Sequence, residues 1–204
     1  MCGRYYVDEE SNQELLRIIR NLDKRLQVKA GEIYPTNRVP VYTKSNRIIE
    51  PAAMTWGYPG FKGSNVIINA RSETAREKKL FADGLNNRRI AIPANGFFEW
   101  SHTKNKQKYY FTSRDSNDLY MAGFYQDFEG DDRFVILTTS ANSSMLDIHN
   151  RMPVLLEKNE MEPWIYSNSD AMSILKRIPK ELKKEMITQK PADEFEQLTL
   201  PWPE

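Results

Sequence analysis

The chain has 204 residues, 40% hydrophobic and 28% charged, with 29 Lys and Arg against 28 Asp and Glu. The resulting net charge of +1 excludes a bulk polycation that coats nucleic acid and leaves phosphate binding to a local patch. No apolar run approaches the roughly 20 residues needed to span a bilayer, no basic-then-apolar leader precedes Cys2, and one Cys with two separated histidines, His102 and His149, can form neither a disulfide nor a Cys/His zinc set.

The first stretch, Met1-Cys2-Gly3-Arg4, holds that single cysteine where removal of Met1 would make it the terminus. A terminal cysteine carries an α-amine (pKa about 7.7–8.0) and a thiol (about 8.5) on adjacent carbons, so useful fractions of both are unprotonated near neutrality. The amine condenses with an aldehyde to an imine, and the thiol closes on the imine carbon to give a five-membered thiazolidine. The same terminus can attack an amide or ester with its own amine as base.

Arg4 to Val7 reads as a short strand that tethers this terminus. Residues 9 to 22, with Leu15, Leu16, Ile18 and Ile19 at helical spacing after capping chemistry at Asp8 to Ser11, read as an amphipathic helix. Tyr34-Pro35-Thr36-Asn37 is a turn, because Pro35 fixes its own φ and restricts Tyr34. Val39 to Tyr42, Ile48 to Ile49 and Ala53 to Gly57 are short apolar runs, read as strands of an antiparallel sheet. Val66 to Ala70 is a strand ending in Arg71-Ser72-Glu73-Thr74, and a charged helix is expected over about 73 to 83.

Arg89 to Trp100 is a strand broken by a Pro and Gly bend, and Glu99 stands among Phe97, Phe98 and Trp100, which argues for its enclosure. Lys104 to Lys108 is a hydrophilic hairpin tip. Strands follow at Lys108 to Thr112, Leu119 to Tyr125, Arg133 to Thr139 and Met152 to Leu156, then helices at about 158 to 167 and 169 to 177, a charged tail from Lys180 and a strand near Met186. With no repeat, linker or internal boundary, the reading is one α+β domain over 1–204, β-rich, its antiparallel sheet curled or barrel-like, with peripheral helices.

Polar residues at strand ends or within apolar runs are the candidates for chemistry, because burial there costs desolvation. They are Asn69 and Arg71 at the end of one strand, Glu99 inside another, and His149 and Arg151 before a third. Singly each has a structural reading: Asn69 as a helix cap, Arg71 with Glu73 as a solvated pair, His149 as a satisfied loop residue. With a terminal cysteine they make a nucleophile, an acid/base carboxylate, an imidazole and phosphate-capable arginines.

Four blocks in order, Met1-Cys2-Gly3-Arg4, Asn69-Ala70-Arg71-Ser72-Glu73-Thr74, Pro93-Ala94-Asn95-Gly96-Phe97-Phe98-Glu99-Trp100, and Leu137-Thr138-Thr139 with Ile148-His149-Asn150-Arg151-Met152-Pro153-Val154, resemble the SOS-response-associated peptidase family. These SRAP-domain proteins are also called abasic-site processing proteins. The resemblance is strongest over 1–156 and includes Trp56-Gly57; Asn95 stands where the family more often has Asp. It implies that Cys2, once Met1 has left, crosslinks to the ring-opened aldehyde of an abasic site in single-stranded DNA, with no cofactor or metal. It further implies that Asn69 orients the Cys2 amine or thiol, that Glu99 moves protons, and that His149 is a second proton donor. Arg4 and Arg71 would contact phosphates, and Trp56 and Pro35 would wedge against bases. Beyond the resemblance, the residues themselves offer Arg151 as a further backbone contact, and Trp56 or Tyr34 as a sequence-tolerant stacking surface. A cytoplasmic, nucleoid-associated monomer is expected. Two alternatives stay open: an N-terminal-nucleophile cysteine peptidase or amidase, and a non-catalytic single-stranded DNA reader.

Overall fold

The structure, a computed structural model, describes residues 2–8, 10, 17, 30–45, 48–60, 65–102 and 106–188. The strands are β1 (Arg4–Val7), β2 (Gly31–Ile33), β3 (Arg38–Ser45), β4 (Ile48–Trp56), β5 (Tyr58–Pro59), β6 (Val66–Ile67), β7 (Asn69–Arg71), β8 (Arg89–Ala94), β9 (Gly96–Trp100), β10 (Lys108–Ser113), β11 (Leu119–Phe128), β12 (Asp131–Ser140), β13 (Arg151–Pro153), β14 (Leu155–Leu156) and β15 (Leu182–Ile187). The helices are α1 (Lys79–Asn87), α2 (Met161–Tyr166) and α3 (Asn168–Lys176), with a 3-10 turn at Lys158–Glu160 before α2. None of the described helices is long and apolar enough to cross a membrane.

Strands β12, β4, β3, β8 and β11 pair in that order, and β11 pairs back to β12, so the sheet closes into a five-stranded barrel. Most pairings are antiparallel, as expected, but β12 runs parallel to both β4 and β7. A second sheet, in the order β15-β10-β9-β1-β2, leans on the barrel. Tyr5, Val7, Ile33, Phe97 and Phe111 from that sheet share one apolar cluster with Val39, Ile92, Met121, Phe134 and Ile136 from the barrel. The fold is therefore the β-rich α+β architecture that the spacing of apolar runs predicts, with α1, α2 and α3 on its outside packing Phe81, Leu85, Trp164, Ile165, Ala171 and Ile174 into a second cluster.

Several boundaries differ from the sequence reading. The helix expected over 73–83 begins only at Lys79. Before it, successive turns are held by Ala75 N–H to Arg71 O at 2.9 Å and Glu77 N–H to Thr74 O at 3.1 Å. The apolar stripe that packs, Phe81 and Leu85, lies further along. The runs at Ile48 and Ala53 form one strand, β4, because Pro51 is accommodated opposite Tyr42. The strand expected over Met152–Leu156 divides at Val154, whose N–H bonds Leu137 O at 2.9 Å while its carbonyl accepts from Ala122 at 2.8 Å. There the chain changes neighbour from β12 to β11. The expected helix at 9–22 and the tip before Lys106 lie almost wholly outside the described residues, whereas the strand near Met186 is β15, paired to β10 with Tyr109 opposite Met186.

The corner between β8 and β9 carries the chain from the barrel into the second sheet. Asn95 N–H bonds Tyr6 O at 2.9 Å there, and the next residue is glycine because its neighbours leave no space. A Cβ on Gly96 would lie 2.5 Å from the backbone oxygen of Phe111 and 2.5 Å from the Tyr110 ring. Gly96→Ala is therefore expected to destabilise the protein by about 1–3 kcal/mol through overpacking, read as a lower urea midpoint at unchanged slope. An unchanged midpoint would show that β9 and β10 separate at little cost.

Candidate functional site

The site forms where the start of the chain is drawn into the second sheet. β1 lies between β9 and β2, with Arg4 opposite Phe98, Tyr5 opposite both Phe97 and Ile33, and Tyr6 opposite Glu32. Alternation along these strands sorts their side chains by face. Tyr5, Phe97 and Phe111 point to the core, where Tyr5 packs on Trp56 and Phe97 stacks on Phe111, and Glu99 shares their parity. Arg4, Phe98, Trp100 and Lys108 occupy the other face.

Cys2 is fully buried within the apolar cluster. Its Sγ–H points to Arg4 O at 3.9 Å, and the Asn69 side-chain amide donates to the Cys2 carbonyl at 3.0 Å. That contact is with the carbonyl and not, as the family resemblance implies, with the amine or thiol. Burial, and secondarily the charge of Glu99, push the Cys2 thiol well above its ordinary value. Burial therefore favours the protonated, dry thiol over the partly unprotonated group expected of an untuned one.

Glu99 is 4% exposed, as its aromatic neighbours predict, and its Oε2 accepts from the Trp100 N–H at 3.3 Å. Its charge acts on both Cys2 and His149, so the three groups lie within electrostatic reach of one another. His149 is positioned by a loop anchored on buried Met145 and Ile148, with its own N–H bonded to Met145 O at 3.0 Å. Its Nδ1 accepts from the Arg151 N–H at 2.9 Å, so the neutral ring carries its proton on Nε2. Burial lowers the His149 pKa below its ordinary 6.5, opposed by the Glu99 charge and reinforced by His102. His102, considered in the sequence only as a zinc ligand, packs against His149 with ring centroids 5.0 Å apart and the planes tilted by 38°. The signal for it was its place three residues after Glu99.

The arginines divide. Arg71 is exposed at the end of β7. Arg4 lies with its guanidinium 4.3 Å from the Tyr34 ring centroid and 4.9 Å from that of Trp100. Arg151 is not available as a phosphate contact, because Nη1 and Nη2 form a bidentate pair with Glu73 at 2.6 and 2.9 Å and Nη2 also reaches Thr138 O at 2.6 Å. Glu73 thus pairs with Arg151 and not with Arg71.

Trp56 is likewise corrected. It is fully buried, stacked near-parallel on Phe134, with its indole N–H on Ile68 O at 3.0 Å. It offers no ring to a base and instead fixes the residue before Asn69. Pro35 is partly exposed in a turn whose Thr36 has φ 71°, an unusual conformation for a β-branched residue. Thr36 N–H bonds Trp56 O at 2.8 Å, and neighbouring Tyr34 is 38% exposed. Asn95 uses both ends of its amide, accepting from Asp8 N–H at 2.7 Å and donating to Asn117 O at 3.1 Å. An Asp there could not make the second bond.

A family model described as SOS response associated peptidase (SRAP) matches residues 1–194. The chain is 32% identical to the abasic site processing protein YoqW of Bacillus subtilis (strain 168), over 81% of this chain and 80% of that one. It is 26% identical to the abasic site processing protein YedK of Escherichia coli (strain K12), over 81% and 79%. A crystal structure of a Bacteroides thetaiotaomicron protein superposes with a TM-score of 0.74 at 24% identity, covering 92% of each chain, which shows a shared fold.

Two outcomes follow for the site. In the chain that retains Met1, iodoacetamide at pH 8 is expected to alkylate Cys2 far more slowly in native buffer than in denaturant; equal rates would overturn the dry-thiol assignment. By nitrogen-15 NMR, His149 is expected to carry its proton on Nε2 at pH 7 and to titrate below 6.5. His102→Ala should move that midpoint upward by removing a neighbouring cation, and a midpoint at or above 6.5 in the unsubstituted protein would refute the burial argument.

Proposed function

The chain belongs to the SOS response associated peptidase family, and from that premise we propose that it is an abasic-site processing protein that captures the lesion covalently in single-stranded DNA. The observation that carries the chemistry is at Asn69. Its Nδ2 is bonded to the Cys2 carbonyl, while its Oδ1 is buried with no hydrogen-bond partner among the described residues. Removal of Met1 supplies a donor of the right kind, the α-ammonium of Cys2, so a single amide would hold the new terminus at both its amine and its carbonyl.

In this reading the Cys2 amine adds to the C1′ aldehyde of the opened sugar and loses water to give an imine. The thiol then adds to the imine carbon, its proton passing to the nitrogen, and the thiazolidine is complete: aldehyde and aminothiol in, ring and water out. Glu99, buried and within electrostatic reach of Cys2, moves the protons of both additions. His149, neutral with its proton on Nε2, donates to the sugar oxygen as the ring opens. Ring closure removes the imine, which would otherwise promote loss of the 3′ phosphate, so the adduct protects the strand. Arg4 and Arg71 contact the backbone beside the lesion, and Tyr34 and Pro35 border it. A terminal-nucleophile peptidase acting in trans fits less well, because it needs a thiolate where burial favours the thiol; release of Met1 is the peptide cleavage that this reading requires.

The test is intact mass of the protein before and after incubation with a single-stranded oligonucleotide carrying one abasic site, followed by a heated denaturing gel. A protein lacking Met1 and a heat-stable one-to-one adduct at Cys2 are expected, with no adduct from Cys2→Ala. Asn69→Ala and Glu99→Gln should each slow capture by about 10²-fold, within the range for lost proton transfer or positioning, while retaining non-covalent binding. An adduct formed by Cys2→Ala would overturn the mechanism.

A further inference from the structure

On the outer face of the second sheet, directly across from the buried chemistry, Arg4 belongs to a charge cluster with Glu32 and Lys108. Glu32 Oε1 accepts from Lys108 Nζ at 2.6 Å. Its Oε2 accepts from the Tyr34 hydroxyl at 3.1 Å and from Arg4 Nη1 at 3.2 Å. Lys108 is the most enclosed of the three, with its side chain 14% exposed against 28% for Arg4 and 32% for Glu32, and its ammonium sits 3.9 Å from the Phe98 ring centroid. The register explains the assembly: Lys108 pairs with Trp100 across β10 and β9, and Arg4 with Phe98 across β1 and β9, so side chains of one parity from four neighbouring strands meet over Phe98 and Trp100.

The distances rank the interactions. The carboxylate is closest to Lys108, whereas its contact with Arg4 is a single bond to one nitrogen, not the bidentate fork an Arg and a carboxylate form when each is the other's main partner. Arg4 Nε is buried with no hydrogen-bond partner among the described residues. Two cations and one anion leave the cluster one positive charge in excess. Partial burial alone would raise the Glu32 carboxyl, but the hydrogen bonds from Lys108 and Tyr34 and the charges of Lys108 and Arg4 hold it below its ordinary value, so it is ionised at neutral pH.

We propose that Lys108 is a positioning residue for DNA binding: by neutralising Glu32 it keeps the guanidinium of Arg4, held between the Tyr34 and Trp100 rings, available to a backbone phosphate of the single strand. The inference rests on reading Arg4 as a phosphate contact. Without the Lys108 ammonium, Glu32 would turn to Arg4, its other cationic partner among the described residues, and the guanidinium would be lost to the phosphate although the residue is still present. Lys108 thus acts through two side chains.

The experiment measures binding of an unmodified single-stranded oligonucleotide as a function of salt, together with capture of an abasic oligonucleotide at saturating protein. Lys108→Met is expected to weaken binding about tenfold and to reduce the slope of log K against log salt by about 0.7, one phosphate contact on a single strand, with capture at saturation unchanged. Lys108→Met/Glu32→Gln should recover the unsubstituted slope and affinity, because nothing then competes for Arg4. Lys108→Arg should match the unsubstituted protein. If the double variant stays as weak as Lys108→Met, Lys108 itself holds the phosphate or only the sheet, and the inference is overturned. If the unsubstituted protein binds and captures normally and Lys108→Met does the same, it is overturned as well. Absence of capture by the unsubstituted protein would instead overturn the functional reading on which it rests.

Discussion

The site depends on β1 being held as an interior strand. Chain termini ordinarily fray, because few contacts oppose their conformational entropy. Here hydrogen-bond ladders on both sides of Arg4–Val7 and the burial of Tyr5 and Val7 fix the start of the chain within the fold. Cys2, two residues upstream of Arg4, has no choice of position, and the Asn69 amide on its carbonyl removes what freedom remains. In the proposed reading, a nucleophile placed this way reaches its partner with its orientation already set, a large contribution to a two-component reaction. The same placement keeps the thiol dry and protonated. A thiol that adds after an imine has formed can deliver its proton in the same step, whereas a standing thiolate beside the Glu99 carboxylate would be electrostatically expensive.

Strand alternation then keeps two kinds of chemistry apart. Glu99 shares the parity of Tyr5 and Phe97, whose rings pack into the core, and is itself buried. Arg4, Trp100 and Lys108 are on the opposite side of the same strands, where charges meet solvent and aromatic faces. Adjacent residues of one strand, Glu99 and Trp100, thus serve different environments. A shift of the β1–β9 register by one residue would exchange them, and the crowded Gly96 corner helps to prevent it, because Tyr110 and Phe111 close over the glycine.

What could be read from the sequence is what depends on near neighbours. The apolar runs gave most strands and the helices after Lys158, and the aromatics around Glu99 gave its burial. The misreadings concern residues whose roles are settled by partners far along the chain. Arg151 reads as a phosphate contact until Glu73, 78 residues away, is seen to hold it. Trp56 reads as an exposed wedge until Phe134 and the Ile68 carbonyl enclose it. Glu32 and Lys108, 76 residues apart, carry no motif at all. The late start of α1 has a local cause that composition alone hides: the charged residues after Arg71 favour a helix, but their backbone bonds return to Arg71 and Thr74 and make turns.

The fate of Arg151 bears on how a nearly neutral protein holds DNA. Its guanidinium ties Glu73, next to the β7 end, to Thr138 of β12, and its backbone N–H sets the tautomer of His149. A cation that composition offers to DNA is thus committed to holding the two segments that carry Asn69 and His149 in register with each other. Of the three arginines read as phosphate contacts, that leaves Arg71, exposed, and Arg4, which shares Glu32 with Lys108. In the proposed reading, two phosphate contacts would give modest, salt-sensitive affinity, too little for long residence on a strand. The residence then comes from the covalent bond, and the few cations need only bring the aldehyde to a terminus that the fold has already placed. A more basic surface would slow the search by lingering on undamaged strands, so a near-neutral charge would suit the proposed selectivity, which lies in a reaction that only the lesion can complete.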